Sequence, residues 1–252
     1  MSESREAVLP PRPLRVLSLF SGNGGMDRGL ENAGLQVIAQ AEVDEFCVRV
    51  LGYHWNVPNY GDVTTADWND LRGKVDVIAG GFPCPPFSDA GLRKGMDDDR
   101  WMWPDFERAI RMVRPGYVIV ENVAGLIRFP DAFGRILADL SALGFDAEWS
   151  VLSCCALGAA HTRERVFIVA NANGKHGEAR MGVRPLRPGT LPAFDDRPRT
   201  SRDPAGWFME AAAGEHRSSD GFSNWNKRLR GLGNAVAPPV GEYVGRMIVE
   251  AA

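Results

Sequence analysis

The sequence predicts a doubly wound α/β fold on a mostly parallel sheet, and three observations predict it. Short apolar runs alternate with helix-period segments between Leu14 and Ala170. Several of these runs are apolar almost throughout, as strands covered on both faces by helices must be. Turns bearing glycine or an acid stand where the runs end, at the strand edge where open α/β sheets bind ligands.

Six strands are expected, over residues 15–20, 37–42, 75–79, 117–121, 148–152 and 166–170. Helical periodicity falls between them at residues 25–33, 45–51, 102–113 and 132–143, and a last helix with prolines at its start is expected over 238–250. From Asn171 to residue 224 the periodicity breaks, with Gly, Pro and scattered Arg throughout. The expected organisation is a disordered lead at 1–13, a catalytic and cofactor-binding domain at 14–170, a small irregular insert at 171–224, and a segment at 225–252 that returns to the first domain.

Composition narrows the class. The 252 residues are 44% hydrophobic and 24% charged, ordinary for a chain that buries a sizeable core. Apolar runs are strand-sized, and residues 1–13 are polar and proline-rich without the apolar run of a signal peptide, so a cytoplasmic protein is expected. The four cysteines (Cys47, Cys84, Cys154, Cys155) show no CxxC pairing and no zinc-finger spacing to histidine, so neither a disulfide scaffold nor a structural metal is expected. Residues 171–230 carry eleven Lys or Arg against seven Asp or Glu, while the whole chain is at −3. The basic charge is thus local, which suits a polyanion contact or a solvated loop.

The motifs follow in chain order. The first strand enters Phe20-Ser21-Gly22-Asn23-Gly24-Gly25 and then a helix, a tight turn whose glycines let backbone approach a ligand. The second ends in Ala41-Glu42-Val43-Asp44, an acid placed for ribose hydroxyls. Tyr60-Gly61-Asp62-Val63 brings another acid before a helix-capping Thr. Together these point to an adenosine-bearing cofactor without a pyrophosphate; singly, each acid reads equally as a helix cap or surface charge. The third strand leads into GGFPCPPFS, where Cys84 sits between prolines on a stiff loop, the position of a nucleophile and not of a core cysteine. Glu121 ends an apolar strand, where desolvation would raise its pKa, or else caps the next turn. Arg163 and Arg165, two apart in HTRERVFIVA, project to one side, toward phosphate or carbonyl oxygens or into a surface ion pair.

Taken in this order, FSGNGG, Glu42, Asp62, GGFPCPPFS, ENV, HTRERVFIVA and GLGNAVAPPVGEYVG resemble the C5-cytosine DNA methyltransferase family, collinearly and over most of the chain outside residues 171–224. The resemblance implies a Rossmann-like, S-adenosylmethionine-dependent methyltransferase fold in a compact bacterial or phage member, with residues 171–224 as a target-recognition region. It implies that Cys84 adds to C6 of a flipped-out cytosine, that Glu121 hydrogen-bonds or protonates N3, that Arg165 binds the O2 edge and that Arg163 helps to position loop, base or phosphate. Phe20, Gly22, Gly24, Gly25, Glu42, Asp62, Pro83, Asn234 and Ala235 would hold S-adenosylmethionine, with S-adenosylhomocysteine as product and no metal. Ser88, Arg93 and Arg228 would contact DNA, with residues 88–100 as a closing loop.

Double-stranded DNA is the implied partner, with a restriction endonuclease acting separately as companion; a monomer with no membrane association is expected. Two departures stand out: Pro85 follows Cys84 where the family has Gln, and His161 opens the arginine motif where the family has Gln. The alternatives are the family's tRNA-acting branch and a catalytically silent DNA-binding homologue.

Overall fold

Apolar runs of this kind need cover on both faces, and the chain supplies it from helices that follow the strands. The computed structural model describes residues 12–83, 101–157, 162–172 and 236–252. In chain order these form β1 (Arg15–Leu19), α1 (Gly25–Asn32), β2 (Gln36–Ala41), α2 (Glu45–His54), a 3-10 turn (Asn69–Leu71), β3 (Val77–Gly80), α3 (Trp103–Val113), β4 (Tyr117–Val123), a second 3-10 turn (Ala124–Arg128), α4 (Pro130–Ala142), β5 (Phe145–Ser153), a third 3-10 turn (Cys154–Leu157), β6 (Glu164–Ala172) and α5 (Pro238–Ala251).

The strands form one sheet in the order β2-β1-β3-β4-β6-β5. β2, β1, β3 and β4 pair in parallel, whereas β6 runs antiparallel to both β4 and β5. The reversal follows from chain length. Ten residues separate β5 from β6, too few for the crossover that a parallel pair requires. Their ladder runs unbroken from Phe145 opposite Ala172 to Ser153 opposite Glu164. β5 is therefore longer than the predicted 148–152, and β6 extends two residues beyond the predicted domain limit at 170.

Two apolar layers flank the sheet. Trp103, Phe106 and Ile110 of α3 and Ile136 and Leu140 of α4 pack with Leu17, Leu19, Ile78 and Val118 on one face. On the other, Leu30 of α1, Leu51 of α2 and Val240, Val244 and Ile248 of α5 pack with Val16, Val77 and Ile119. The sheet is doubly wound, as predicted. Its chain direction switches between β1 and β3, and open α/β sheets bind ligands at the carboxyl ends of such a pair.

Helix α5 reaches α1 through glycines. A Cβ on Gly29 would lie 2.3 Å from Pro238 O, one on Gly25 2.1 Å from Val236 O, and one on Gly245 2.7 Å from Ala33 Cβ. Only residues without side chains at these positions let the two helices approach so closely. At the amino ends of β1 and β3, Asp76 accepts hydrogen bonds from Arg12 (2.6 Å), the backbone N–H of Arg15 (2.8 Å) and Arg15 Nε (3.1 Å). Arg12 is thereby tied to the sheet, although it falls in the lead predicted to be disordered. No helix among the described residues is long and apolar enough to cross a membrane.

Candidate active site

The turn after β1 is bent by three left-handed residues, Phe20 (φ 53°), Gly22 (φ 55°) and Gly24 (φ 77°). Phe20 was predicted to be the last strand residue; its left-handed backbone ends β1 at Leu19 instead, and its ring stacks on Phe106 at 6.5 Å. A Cβ on Gly22 would meet nothing within 4 Å, so the space over the turn is open. Gly24 instead lies against the Trp55 ring, which would stand 2.5 Å from its Cβ. Trp55 in turn carries the Arg28 guanidinium at 5.1 Å from its ring centroid.

Glu42 stands beside this turn at the end of β2. Its Oε2 accepts from Gly22 N at 2.7 Å, and its Oε1 from Val43 N (2.9 Å) and Asp44 N (2.8 Å). Val43, 65% exposed, adds an apolar face next to the carboxylate, a feature the sequence reading did not single out. Asp44 caps α2 by accepting from Phe46 N and Cys47 N. Burial, reinforced by the charges of Glu42 and Asp44, pushes the Cys47 thiol up to about 12, and it sits as a donor 3.2 Å from Asn23 Oδ1 in the turn.

Asp62 corrects a detail of the prediction. It is itself the capping group: Oδ1 accepts from Thr64 N at 2.9 Å and Thr64 Oγ1 at 2.8 Å, and a short turn follows in place of an α-helix. The backbone N–H of Thr64, then its hydroxyl, hold the Asp62 carboxyl below the usual range. The turn is anchored from α3, where Arg108 donates to Val63 O (2.5 Å) and Ala66 O (3.1 Å).

At the carboxyl end of β3 the chain passes through Gly80, Gly81 and Phe82 to the exposed Pro83, the last described residue before Cys84. Phe82 packs edge-on against Trp101 at 5.3 Å, so the two ends of the segment that contains Cys84, Ser88 and Arg93 meet in an aromatic cluster. Those three residues, and Arg228, Asn234, Ala235, Pro85 and His161, lie outside the described residues. Val236, directly after Ala235, packs over Gly25 at the start of α1.

Antiparallel pairing brings the end of β4 to the start of β6. Glu121 lies opposite Phe167 and Val123 opposite Arg165, so Glu121 and Arg165 are diagonal neighbours on one face. Arg165 Nε is 3.0 Å from Glu121 Oε1, and the Glu121 side chain is 8% exposed. Burial pushes the Glu121 carboxyl up, against the opposing charges of Arg165 and Arg163. Arg163 is pulled down by desolvation and by repulsion from Arg165. The following turn is held by Asn122, whose Oδ1 accepts from Val123 N (2.9 Å) while its Nδ2 donates to Phe82 O (3.2 Å). Glu121 is thus no turn cap; it faces two guanidinium groups, beside the strand that leads to Cys84. Such a pair offers the polar edge of a heterocycle a carboxyl whose hold on a proton is raised by burial, and a cation beside it.

Three polar residues under the turn escaped the sequence reading. Ser18, Asp27 and Gln40 are each at most 2% exposed, and Ser18 Oγ (2.5 Å) and Gln40 Nε2 (2.6 Å) both donate to the Asp27 carboxylate. An aspartate in a first helical turn reads from sequence as a partner of the helix dipole, so nothing flagged it.

Comparison with known proteins agrees with this arrangement. Residues 14–203 match the model of the family described as C-5 cytosine-specific DNA methylase. The Type II methyltransferase M.Eco47II of Escherichia coli is 38% identical over 167 residues, 63% of this chain and 39% of that protein. M.NgoMIV of Neisseria gonorrhoeae is 35% identical over 162 residues, 62% of this chain and 51% of the relative. The chain therefore spans about two-fifths to one-half of the length of these relatives. Among solved structures, a prophage-encoded E. coli protein described as a DNA modification methyltransferase superposes with a TM-score of 0.53 at 25% identity, over 63% of this chain and 47% of the other.

Proposed function

The chain belongs to the C-5 cytosine-specific DNA methylase family, and from that premise we propose that it transfers a methyl group from S-adenosylmethionine to C5 of a cytosine flipped out of duplex DNA. The observation that carries this reading is the buried Glu121–Arg165 pair, with Arg163 beside it, at the end of the strand next to the one that leads into Cys84.

The pocket side chains fit the methyl donor. Gly22 leaves the turn open and Gly24 lets it lie against Trp55, while Glu42 offers a carboxylate to ribose hydroxyls, Val43 an apolar surface to an adenine face, and Asp62 an anionic acceptor. Phe20, Gly25, Pro83, Asn234 and Ala235 complete the proposed pocket. When bound, S-adenosylmethionine supplies the electrophilic methyl group. The chain's own residues make cytosine able to take it. The Cys84 thiolate adds to C6, and the electron pair of the 5,6 double bond moves to C5. Glu121 hydrogen-bonds or protonates N3 as negative charge develops in the ring, and Arg165 holds the O2 edge. Arg163 positions base or backbone. After C5 has taken the methyl group it loses its proton, and Cys84 leaves with the C6–S electron pair, restoring the double bond.

These contacts require the base to leave the stack, which costs a few kcal/mol that the protein recovers by gripping the base. Ser88, Arg93 and Arg228 are proposed DNA contacts, residues 171–224 a target-recognition region, and the protein a cytoplasmic monomer with a restriction endonuclease acting separately as companion. In the test, the protein is incubated with labelled S-adenosylmethionine and duplex DNA or tRNA. Label on DNA that Cys84→Ala abolishes is the expected result; label on tRNA alone, or on neither, rejects the reading. DNA carrying 5-fluorocytosine should trap a covalent complex, because C5 then has no proton to lose.

A further inference from the structure

The Asp27 carboxylate is completely buried, yet among the described residues no cation pairs with it. Its own helix carries Arg28, engaged with Trp55 and Glu31, and Glu31, whose negative charge acts on Asp27. From the sheet, β1 and β2 present the uncharged Ser18 and Gln40. From α5, packed along α1, comes Glu242, which is paired with Arg246. A buried anion so placed is costly, and its being held by uncharged donors, the side chains of Ser18 and Gln40 and its own backbone N–H, calls for a reason.

The reason lies in what the donors touch. Gln40 Nε2 donates to Oδ2 at 2.6 Å, and the backbone of Gln40 bonds Pro58 O and Tyr60 N on the segment that leads to Asp62. Ser18 Oγ donates to Oδ1 at 2.5 Å and lies 2.9 Å from Ser21 Oγ. Ser21 is the second residue of the turn: its N–H donates to Ala41 O beside Glu42, and its carbonyl accepts from Gly24 N. One carboxylate therefore reaches all three parts of the proposed pocket. We propose that Asp27 is a positioning residue for this pocket: its buried carboxylate fixes the direction of the Ser18–Ser21 hydroxyl chain and so holds the turn at residues 20–24 in its ligand-binding shape.

An ionised carboxylate only accepts, so Ser18 must give it its proton, which leaves Ser18 Oγ free to accept from Ser21. A protonated Asp27 needs an acceptor, and because Gln40 turns its amide nitrogen toward the carboxyl, the Ser18 hydroxyl is the partner that offers a lone pair. The chain then reverses: Asp27 donates to Ser18, Ser18 to Ser21, and Ser21 to Ser18 O, 3.1 Å away. Burial pushes the Asp27 carboxyl from 3.8 to about 6, against the hydrogen bonds of Ser18 and Gln40, so the reversal falls at mildly acidic pH. Asparagine at this position copies the reversed state at every pH.

The inference rests on the reading of the turn as part of the S-adenosylmethionine pocket. Binding of S-adenosylhomocysteine is measured calorimetrically between pH 5.5 and 8.0, with melting curves at each pH, for the wild type, Asp27→Asn and Ser21→Ala. The fully protonated state should bind about tenfold more weakly, the size of one lost hydrogen bond to a charged group, so that wild-type affinity falls roughly threefold by pH 5.5 with the carboxyl at about 6. Asp27→Asn should bind at every pH with the tenfold-weaker affinity of the fully protonated state. Ser21→Ala, which leaves the carboxylate titrating but cuts its link to the turn, should lose the pH dependence of binding while its melting temperature still responds to pH. Wild-type affinity and pH slope in folded Asp27→Asn, or in Ser21→Ala should the former not fold, would overturn the proposal. A folded wild type that binds nothing at any pH overturns the pocket itself, and is told apart because no variant is needed to see it.

Discussion

Glu121 lies across Gly81: a Cβ built on that glycine would stand 2.3 Å from Oε2 of the carboxylate. The absence of one methyl group on β3's exit lets the acid on β4 occupy its place beside Arg165. Gly81→Ala should therefore lower methyl transfer roughly 100-fold by displacing a group aimed at developing charge. It should also cost about 1–3 kcal/mol in denaturant unfolding, as overpacking does. A double-mutant cycle checks the cause: in a Glu121→Ala background the stability cost should largely vanish.

Glu121→Gln tests the carboxyl without changing its shape. The folded state raises this pKa, so ionisation of Glu121 opposes folding. The stability tied to its proton is complete below the ordinary carboxyl value and is lost as pH rises through the folded one. At pH 8 the variant should thus melt no lower than the wild type, while kcat drops about 100-fold or more. A parallel loss of stability and activity would instead make the Arg165 pair a structural bridge.

Asp27→Asn should separate stability from binding. With the folded pKa at about 6 against 3.8, stability is greatest at low pH and declines as pH rises from about 4 to 6. Above that range the ionised group costs on the order of 3 kcal/mol. Removing the charge should raise the melting temperature at pH 8, although cofactor affinity falls; a merely structural aspartate would move both in one direction.

At the amino ends of the central strands the sign is opposite. Desolvation pushes Asp76 up, but hydrogen bonds from Arg12 and Arg15 outweigh it and hold the carboxyl well below the ordinary range. Its stabilisation is present above the unfolded value and is lost as pH falls through the folded one. Asp76→Asn should cost roughly 1–2 kcal/mol at pH 7, discounted because the Arg12 side chain is 53% exposed. In acid titrations the gap between variant and wild type should close well below pH 4.

The sheet was readable because its runs are apolar on both faces, and five of the six predicted strands overlap the observed ones to within two residues at each end. The exception, β5, was cut short because Phe145, Asp146 and Ala147 mix polar and apolar character while the β6 ladder holds them in place. The catalytic candidates were readable for another reason: Glu121 and Arg165 stand at strand ends in recognisable order. Their pairing was not, since it depends on the reversal of β6, and a strand's apolar composition carries no direction. Asp27 was hidden because its meaning comes from Ser18 and Gln40, which are ordinary strand residues until the fold brings them together. Asp62 was misassigned in detail because an acid with threonines two and three residues on offers more than one capping group, and geometry alone selects the acid.

Gly29→Ala should show what the close packing of α1 and α5 contributes. The new methyl would stand 2.3 Å from Pro238 O, a backbone atom that cannot rotate away. A loss of about 1–3 kcal/mol is expected, together with faster hydrogen exchange along α5. Unchanged exchange in α5 would mean that the helix is held from the sheet alone.

That glycine contact also sets a clock. Gly29 and Pro238 are about 210 residues apart in the chain. At ~5–20 residues per second, a ribosome takes roughly 10–40 s to make the second after the first. Throughout that interval the outer side of α1 has no partner, and neither Gly25 nor Gly29 meets the backbone that later closes over it. Until then the wall that Val236 and α5 build against α1 is missing, so the proposed pocket cannot be complete before residue 238 has been made.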